Sequence, residues 1–497
     1  MSRSSMTRFV LAVAFALAIP PISEAATFTV TNTNDSGAGS LRQALIDANA
    51  AAGSPHTIVF GTAFPALGTI TLASALPTWN NGRLTVDGEV NTRLPRISGN
   101  DLHSIFVVGT TATRLDLRGL AIRNGLRSSG GCVALQVDGT PAILSVDNTL
   151  FSNCRAVANG FPAGGAIRWR SDSSSRVEIF DSVFSDNRTV AGVAPPIIAG
   201  GSGGAIAIEA GLISIQGNRF ESNFIDVSGQ STGGSGGAIA ATVATGGAAI
   251  ALVTDNVFRA NSATPTATDN FGLGGAAFIG CNGACTWTFE RNYFRGNSAR
   301  DGGAIWGPGS FGGSAAAKRV RVVNSSFFNN DVVGTGGALN LRSGRIELEY
   351  NSFFNNGAAA GAHVAILDSE SVRVIHNVLA ATFAGAAPCV AANVDVDAAF
   401  GSISRVPCNL GALIPVATVA QLPNPVIDES QAIGVLRFDG VPEVVDAVPA
   451  ADNTTCPGED ARNQSRPIDG DSDGVARCDR GAFEHPSELL LRSGFES

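Results

Sequence analysis

The residues best suited to chemistry form three groups, and each needs a scaffold that brings it together. The first is acidic. Asp469, Asp471 and Asp473 alternate with Gly470 and Ser472 and are followed by Gly474. Carboxylates at alternate positions before a turn glycine resemble the start of a calcium loop, because a hard cation gathers oxygens from a tightly curled chain. An EF-hand would need glutamate where Arg480 stands, so Asp479 or Glu484 would have to complete a different cage. The second group pairs like with like: Phe278 with Trp306, and Arg259 with Arg295. Neighbouring aromatic rings make a platform for a sugar or a partner, and neighbouring guanidiniums hold an anionic sugar. The third group is Cys132, Cys154, Cys281, Cys285, Cys389, Cys408, Cys456 and Cys478. An even count in an exported chain predicts disulfides. Pairing in sequence order gives short loops, although sequence alone leaves the connectivity open. Other chemistries find little footing. There is no Cys-x-x-Cys and the five histidines are scattered, so no zinc site is expected. No glycine-rich stretch ends in Gly-Lys-Ser/Thr, which dismisses a phosphate loop.

The paired residues meet only if the chain repeats in register, and two alternating motifs supply that register. Gly-Gly-Ala followed by an apolar residue starts at Gly164, Gly203, Gly236, Gly274, Gly302 and Gly336, with spacings of 39, 33, 38, 28 and 34. Phe-x-x-Asn runs over Phe184–Asn187, Phe220–Asn223, Phe258–Asn261, Phe294–Asn297, Phe327–Asn330 and Phe353–Asn356. An Asp or Asn precedes each Phe: Asp181, Asn218, Asn256, Asn292, Asn324 and Asn351. A drifting period of this size means a solenoid. Within one repeat, Ala205–Ile208 and Leu212–Ile215 alternate with period two, and Asn218–Asn223 is a third short extended piece. Three short strands per period make one coil of a parallel β-helix. Gly and Asn are expected at the corners, where φ is positive. Ile and Phe should point inward and stack on their equivalents about 4.8 Å away.

That register predicts two outward columns. One is Arg168, Ala207, Ala240, Phe278, Trp306 and Asn340; it holds no carboxylate pair. The other is Ser185, Glu221, Arg259, Arg295, Phe328 and Phe354, with Glu221 able to pair with Arg259. Insertions at residues 188–202, 224–235 and 262–273 all leave one corner, where a binding surface is expected. The apolar stretch Val190–Ile198 within them should pack on the rod or meet a partner.

The fold class expected is all-β: a single-stranded parallel β-helix over residues 111–384, roughly eight coils and on the order of 40 Å long. Residues 26–110 read as an N-terminal cap and first coils. Thr27–Val30 and Thr57–Phe60 are strands, and Ser40 caps a short helix at Leu41–Asn49 that would cover the open core. Residues 385–497 form a Cys- and Pro-containing tail able to close the other end.

Composition agrees. Of 497 residues 44% are apolar and only 15% charged, and Gly numbers 59, which suits tight coils and argues against a long helical protein. The net charge of −9, with Lys318 the sole lysine, excludes an electrostatic nucleic-acid binder. Residues 1–25 read as a secretory signal: Arg3 and Arg8, the apolar run Phe9–Ile19, then Ser23-Glu24-Ala25. No apolar run is long enough for a transmembrane helix, and an outer-membrane barrel is not expected after the repeats end.

The alternating Gly-Gly-Ala and Phe-x-x-Asn motifs resemble the repeats of polymorphic outer membrane proteins. Phe28–Phe60, with Gly39-Ser40-Leu41-Arg42-Gln43-Ala44, resembles the N-terminal domain named for a Cys-Ser-Leu-Arg-Glu-Ala (CSLREA) motif, with the Cys and Glu replaced. Arg466-Pro467 through Cys478-Asp479-Arg480-Gly481-Ala482-Phe483-Glu484 resembles the end of choice-of-anchor domains on secreted bacterial β-helices. Ser493–Glu496 is similar to terminal tags on exported Gram-negative proteins. Together these resemblances imply a secreted or surface right-handed β-helix, extracellular or outer-membrane-associated in a Gram-negative bacterium, with adhesion-like roles in some relatives. The expected function is that of a monomeric interaction protein binding a carbohydrate or surface protein. The alternative is a pectate-lyase-like polysaccharide lyase or glycoside hydrolase. No motif requires a cofactor; calcium is the one ion the acidic loop would suit.

Overall fold

A computed structural model describes residues 25–89, 94–192, 201–226, 234–244, 249–263, 272–310, 317–342, 344–380, 382, 387–408, 417–449, 452 and 455–486. The signal-like segment up to residue 24, the apolar residues 193–198 and the Ser493–Glu496 tag lie outside them. The chain coils into two long parallel sheets, of 21 and 13 strands, and a short four-stranded one. Coil-to-coil pairing follows the motif register: Ile167–Arg170, Ile206–Ala210 and Ile239–Val243 lie side by side and parallel. The protein is a parallel β-helix, as the repeats predict. Two of the three strands in each repeat share the 21-stranded sheet. Leu212–Gln216 follows Ile206–Ala210 in the same coil and pairs with Arg176–Phe180 and Ala249–Thr254, and Arg219–Glu221 enters the 13-stranded sheet.

The inside is a stack. Phe151, Phe184, Phe220, Phe258, Phe294, Phe327 and Phe353 are fully buried, with successive ring centroids 4.8–4.9 Å apart and nearly parallel planes. That distance is the strand spacing, so each ring meets its copy one coil on. Beside it runs a ladder of buried amides: Asn187, Asn223, Asn261, Asn297, Asn330 and Asn356. The Asn223 side chain donates to the Phe184 carbonyl at 2.9 Å and to Asn261 Oδ1 at 3.0 Å. Its backbone N–H donates to the same Oδ1 at 3.1 Å. A buried corner that would orphan backbone groups is thereby closed by side-chain amides. Cys154 takes the Asn place at the head, its N–H donating to Asn187 Oδ1 at 3.0 Å. His363 ends the foot: Nε2–H donates to the Ala380 carbonyl at 2.9 Å, leaving Nδ1 to accept from Asn356 at 3.1 Å.

The corners correct one expectation. The motif asparagines face inward as ladder rungs, and the positive φ falls on the residue before each, such as Asp186, Ser222, Ala260 and Asn329. A second ladder runs through Ser182, Asn218, Asn256, Asn292, Ser325, Asn351 and Asn377. Asp181 and Asn324 stand one residue earlier, at φ 46° and 49°, so serine serves as the rung there. The two glycines of the first motif have separate reasons. Gly203 has φ 63°, and a Cβ on Gly204 would lie 2.0 Å from the Gly237 carbonyl oxygen of the next coil.

The helix sits over the core at one end as expected, whereas the tail does not simply close the other. Leu41–Ala50 is the one helix among the described residues; Ser40 accepts from the Gln43 N–H at 3.1 Å, and Leu41, Ala44, Leu45 and Ala48 are buried on the core. At the other end the parallel pairing runs on past residue 384, through Cys389–Phe400 against Val364–Ile375. The tail beyond it lies along the outside of the 13-stranded sheet. Leu436, Phe438, Val441 and Val444 pack there with Val257, Tyr293, Phe328 and Val378. The cysteines pair in sequence order, Cys132–Cys154, Cys281–Cys285, Cys389–Cys408 and Cys456–Cys478, with Cα–Cα distances of 5.6, 6.1, 4.9 and 6.3 Å. No helix among the described residues is long and apolar enough to cross a membrane.

Candidate functional site

The first outward column holds its predicted register, with Arg168, Ala207, Ala240, Phe278, Trp306 and Asn340 on successive coils. Phe278 and Trp306 are neighbours, with centroids 5.1 Å apart and planes 7° apart. They do not form the flat exposed platform expected of them. Rings on successive coils stack along the rod axis and turn their edges outward, and Phe278 is only 8% exposed. Arg342 covers Trp306, its guanidinium carbon 5.8 Å from the ring centroid.

What the column builds instead is a groove. Ala207 and Ala240 carry small side chains between Arg168 and Phe278, and the depression over them has a volume of about 450 Å³. Thr242, Ser202 and Ser235 also line it. Its charges are matched: Arg168 holds Asp138 at 2.6 Å, and Arg170 holds Glu209 at 2.6 Å and Asp138 at 3.3 Å. Asn282 also donates to Glu209, at 2.9 Å. On the rim stands Phe161, 68% exposed and facing the groove. Sequence reasoning missed this residue. Its signal was an aromatic between Gly160 and Pro162, just before a Gly-Gly corner, where nothing in the repeat requires an apolar side chain.

The second column also holds its register, with Glu221, Arg259 and Arg295 adjacent. The two arginines do converge on an anion, but the anion belongs to the chain. Arg259 and Arg295 contact Glu429 of the tail at 2.7 and 2.5 Å, and the Tyr293 hydroxyl donates to it at 2.8 Å. Burial pushes the Glu429 carboxyl up, but the hydrogen bonds from Arg295, Tyr293 and Arg259 outweigh it and hold it down to about 2. An anionic sugar is therefore not the occupant of this clamp. Glu221 pairs with Arg219 on its own strand, not with Arg259.

The acidic loop is rearranged too. Asp469 and Asp471 gather with Asp446, their carboxylate oxygens within 4.8 Å of one another. Asp473 instead faces Arg477, at 2.9 Å. Neither Asp479 nor Glu484 joins the three: Asp479 bonds His485, and Glu484 pairs with Arg466 at 3.2 Å. Asp446 already accepts the backbone N–H groups of Asp471 and Arg477. Beside these groups the tail has a cavity of about 600 Å³ where Phe483 lies between Arg437 and Arg462.

Comparison with known proteins adds no family: no family model, no curated protein and no solved structure matches this chain.

Proposed function

We propose that this is an exported or cell-surface β-helix that acts as an interaction protein, adhesin-like in role, holding a carbohydrate or surface-protein partner along the groove of its first outward column. The observation that carries the reading is Phe161, a large ring left in water on the rim of a groove, whereas every other aromatic ring among the described residues is buried or half-buried. The matched charges suit binding better than acid–base chemistry. Glu209, the carboxylate that lines the groove, is engaged by Arg170, and Asp138 beside it by Arg168. The signal-like start and the likeness to surface-protein repeats, cap and terminal motif support export from a Gram-negative cell. Calcium, if the tail takes it, would meet Asp446, Asp469 and Asp471 rather than the loop triplet alone.

The test is retention of the mature protein on a panel of neutral and acidic polysaccharides, with and without calcium, read together with fragment size. Retention without cleavage is the expected result. Fragment release would replace this reading with a lyase or hydrolase.

A further inference from the structure

Resting on the reading of the groove as the binding site, we propose that its ligand is a neutral linear glycan, and that about three sugars lie along the rod axis between Phe161 and Phe278. Length comes first. Phe161 precedes Ala163, which bridges to Ser202 one coil on, and its coil carries Arg168. Phe278 stands three coil steps further, through Ala207 and Ala240. Three steps of about 4.8 Å give about 14 Å. One step is close to the length that one β-linked pyranose adds to an extended chain, so ligand and floor share a period. The groove's volume of about 450 Å³ is of the size such an oligosaccharide fills.

Charge decides the class. Arg168 and Arg170 face Asp138 and Glu209, two cations against two anions, each already bonded. A uronate or a sulfated sugar would have to displace one of these carboxylates, and an amine one of the guanidiniums. A neutral glycan displaces neither. It offers hydroxyls to Thr242, Ser202 and Ser235 and an apolar C–H face to the exposed Phe161 ring. An extended peptide fits less well. The floor is a sheet face whose backbone groups are spent on the neighbouring coils, so no main-chain partners remain for strand addition.

The experiment is calorimetric titration of the mature full-length protein with neutral cello-, xylo- and chito-oligosaccharides of two to six units, and with galacturonate oligomers of the same lengths. The account expects a neutral series whose affinity rises to three units and then levels. Phe161→Ala should weaken that binding by tenfold or more with an unchanged melting temperature. Ala240→Phe, which fills the floor by extending the Phe278 stack, should abolish it. Preference for the galacturonate series, or affinity still climbing to six units, overturns the neutral three-unit assignment. So does the absence of neutral binding when Phe161-dependent retention on a polymer or surface protein persists, and in that case the groove reading survives. Binding indifferent to both substitutions removes the groove reading as well.

Discussion

The coil corners of the rod and the core of the tail bury polar groups in opposite ways. The coil corners use neutral amides, with serine at two rungs of the second ladder, and the first ladder repeats: Asn223 leans on Asn261, Asn261 on Asn297, Asn297 on Asn330. The rod's buried carboxylates Asp116, Glu347 and Glu349 lie apart from these ladders, held by arginines of the same or neighbouring coils. The tail uses charges, and each pairing occurs once. Arg466 and Glu484 are both fully buried, 3.2 Å apart. Asp479 holds the His485 ring, and Asp460 accepts backbone N–H groups from Arg462, Gln464 and Glu484. A neutral rung needs only its neighbours above and below, so it can be copied along an axis at little desolvation cost. A buried ion pair costs much to desolvate and gains only from exact partners, so it suits a segment that has to adopt one irregular shape. Repetition positions the groove; the tail's charges position a clasp on the opposite sheet.

The contrast can be broken most forcefully in the rod. Phe258→Ala should cost about 4 kcal/mol, because the rings on either side cannot close over the gap. Thermal unfolding checks this, and a cost under about 1 kcal/mol would show that the stack is not a continuous support. In the tail, Arg466→Met should cost about 3 kcal/mol by leaving Glu484 buried without its partner, and Arg466→Met with Glu484→Leu should recover most of that loss. If the double substitution is as damaging as the single one, the pair does more than satisfy itself.

Acid should then find the rod's foot. Burial lowers the His363 pKa to about 4, despite the hydrogen bond to Ala380. Burial, helped by Arg480, lowers His376 to about 4 as well. In the folded state these rings bind protons later than in the unfolded state. The stability they contribute is complete above pH about 6.5 and is lost as pH falls towards 4, by up to about 3 kcal/mol for His363. Melting temperature followed from pH 7.5 to 4 should fall in that window; a flat profile would contradict the buried neutral imidazole. The smallest effect is expected at the clasp. Glu429 is part exposed, so Glu429→Gln should cost less than about 1 kcal/mol. Its mark should be faster hydrogen exchange in the hairpin Val426–Asp428 and Val435–Arg437, with the rod unchanged.

The coils were legible because a periodic sequence repeats its evidence. One Gly-Gly-Ala or Phe-x-x-Asn says little, but six in alternation set the register of both outward columns to the residue. The amide ladders were half legible. Asn was visible at the right interval, but its inward role was not, because the positive-φ position before it accepts residues as different as Arg291, Ala260 and Tyr350. Adjacency did not reveal orientation, so Phe278 and Trp306 were found side by side yet edge-on. The partners of Arg259 and Arg295 were hidden for another reason. Glu429 lies far along the chain in a segment without repeats, and only tertiary docking brings it to them. Asp446 joined Asp469 and Asp471 in the same unsignalled way.

The central claim is that binding belongs to the groove on the rod rather than to the cavity in the tail. Side-chain footprinting of the protein bound to the neutral oligosaccharide that titrates most tightly tests it most directly. The account predicts protection at Phe161 and Thr242, with none at Arg437 or Pro442 on the tail cavity. Protection confined to Arg437, Pro442 and their neighbours would contradict it and move the function to the tail.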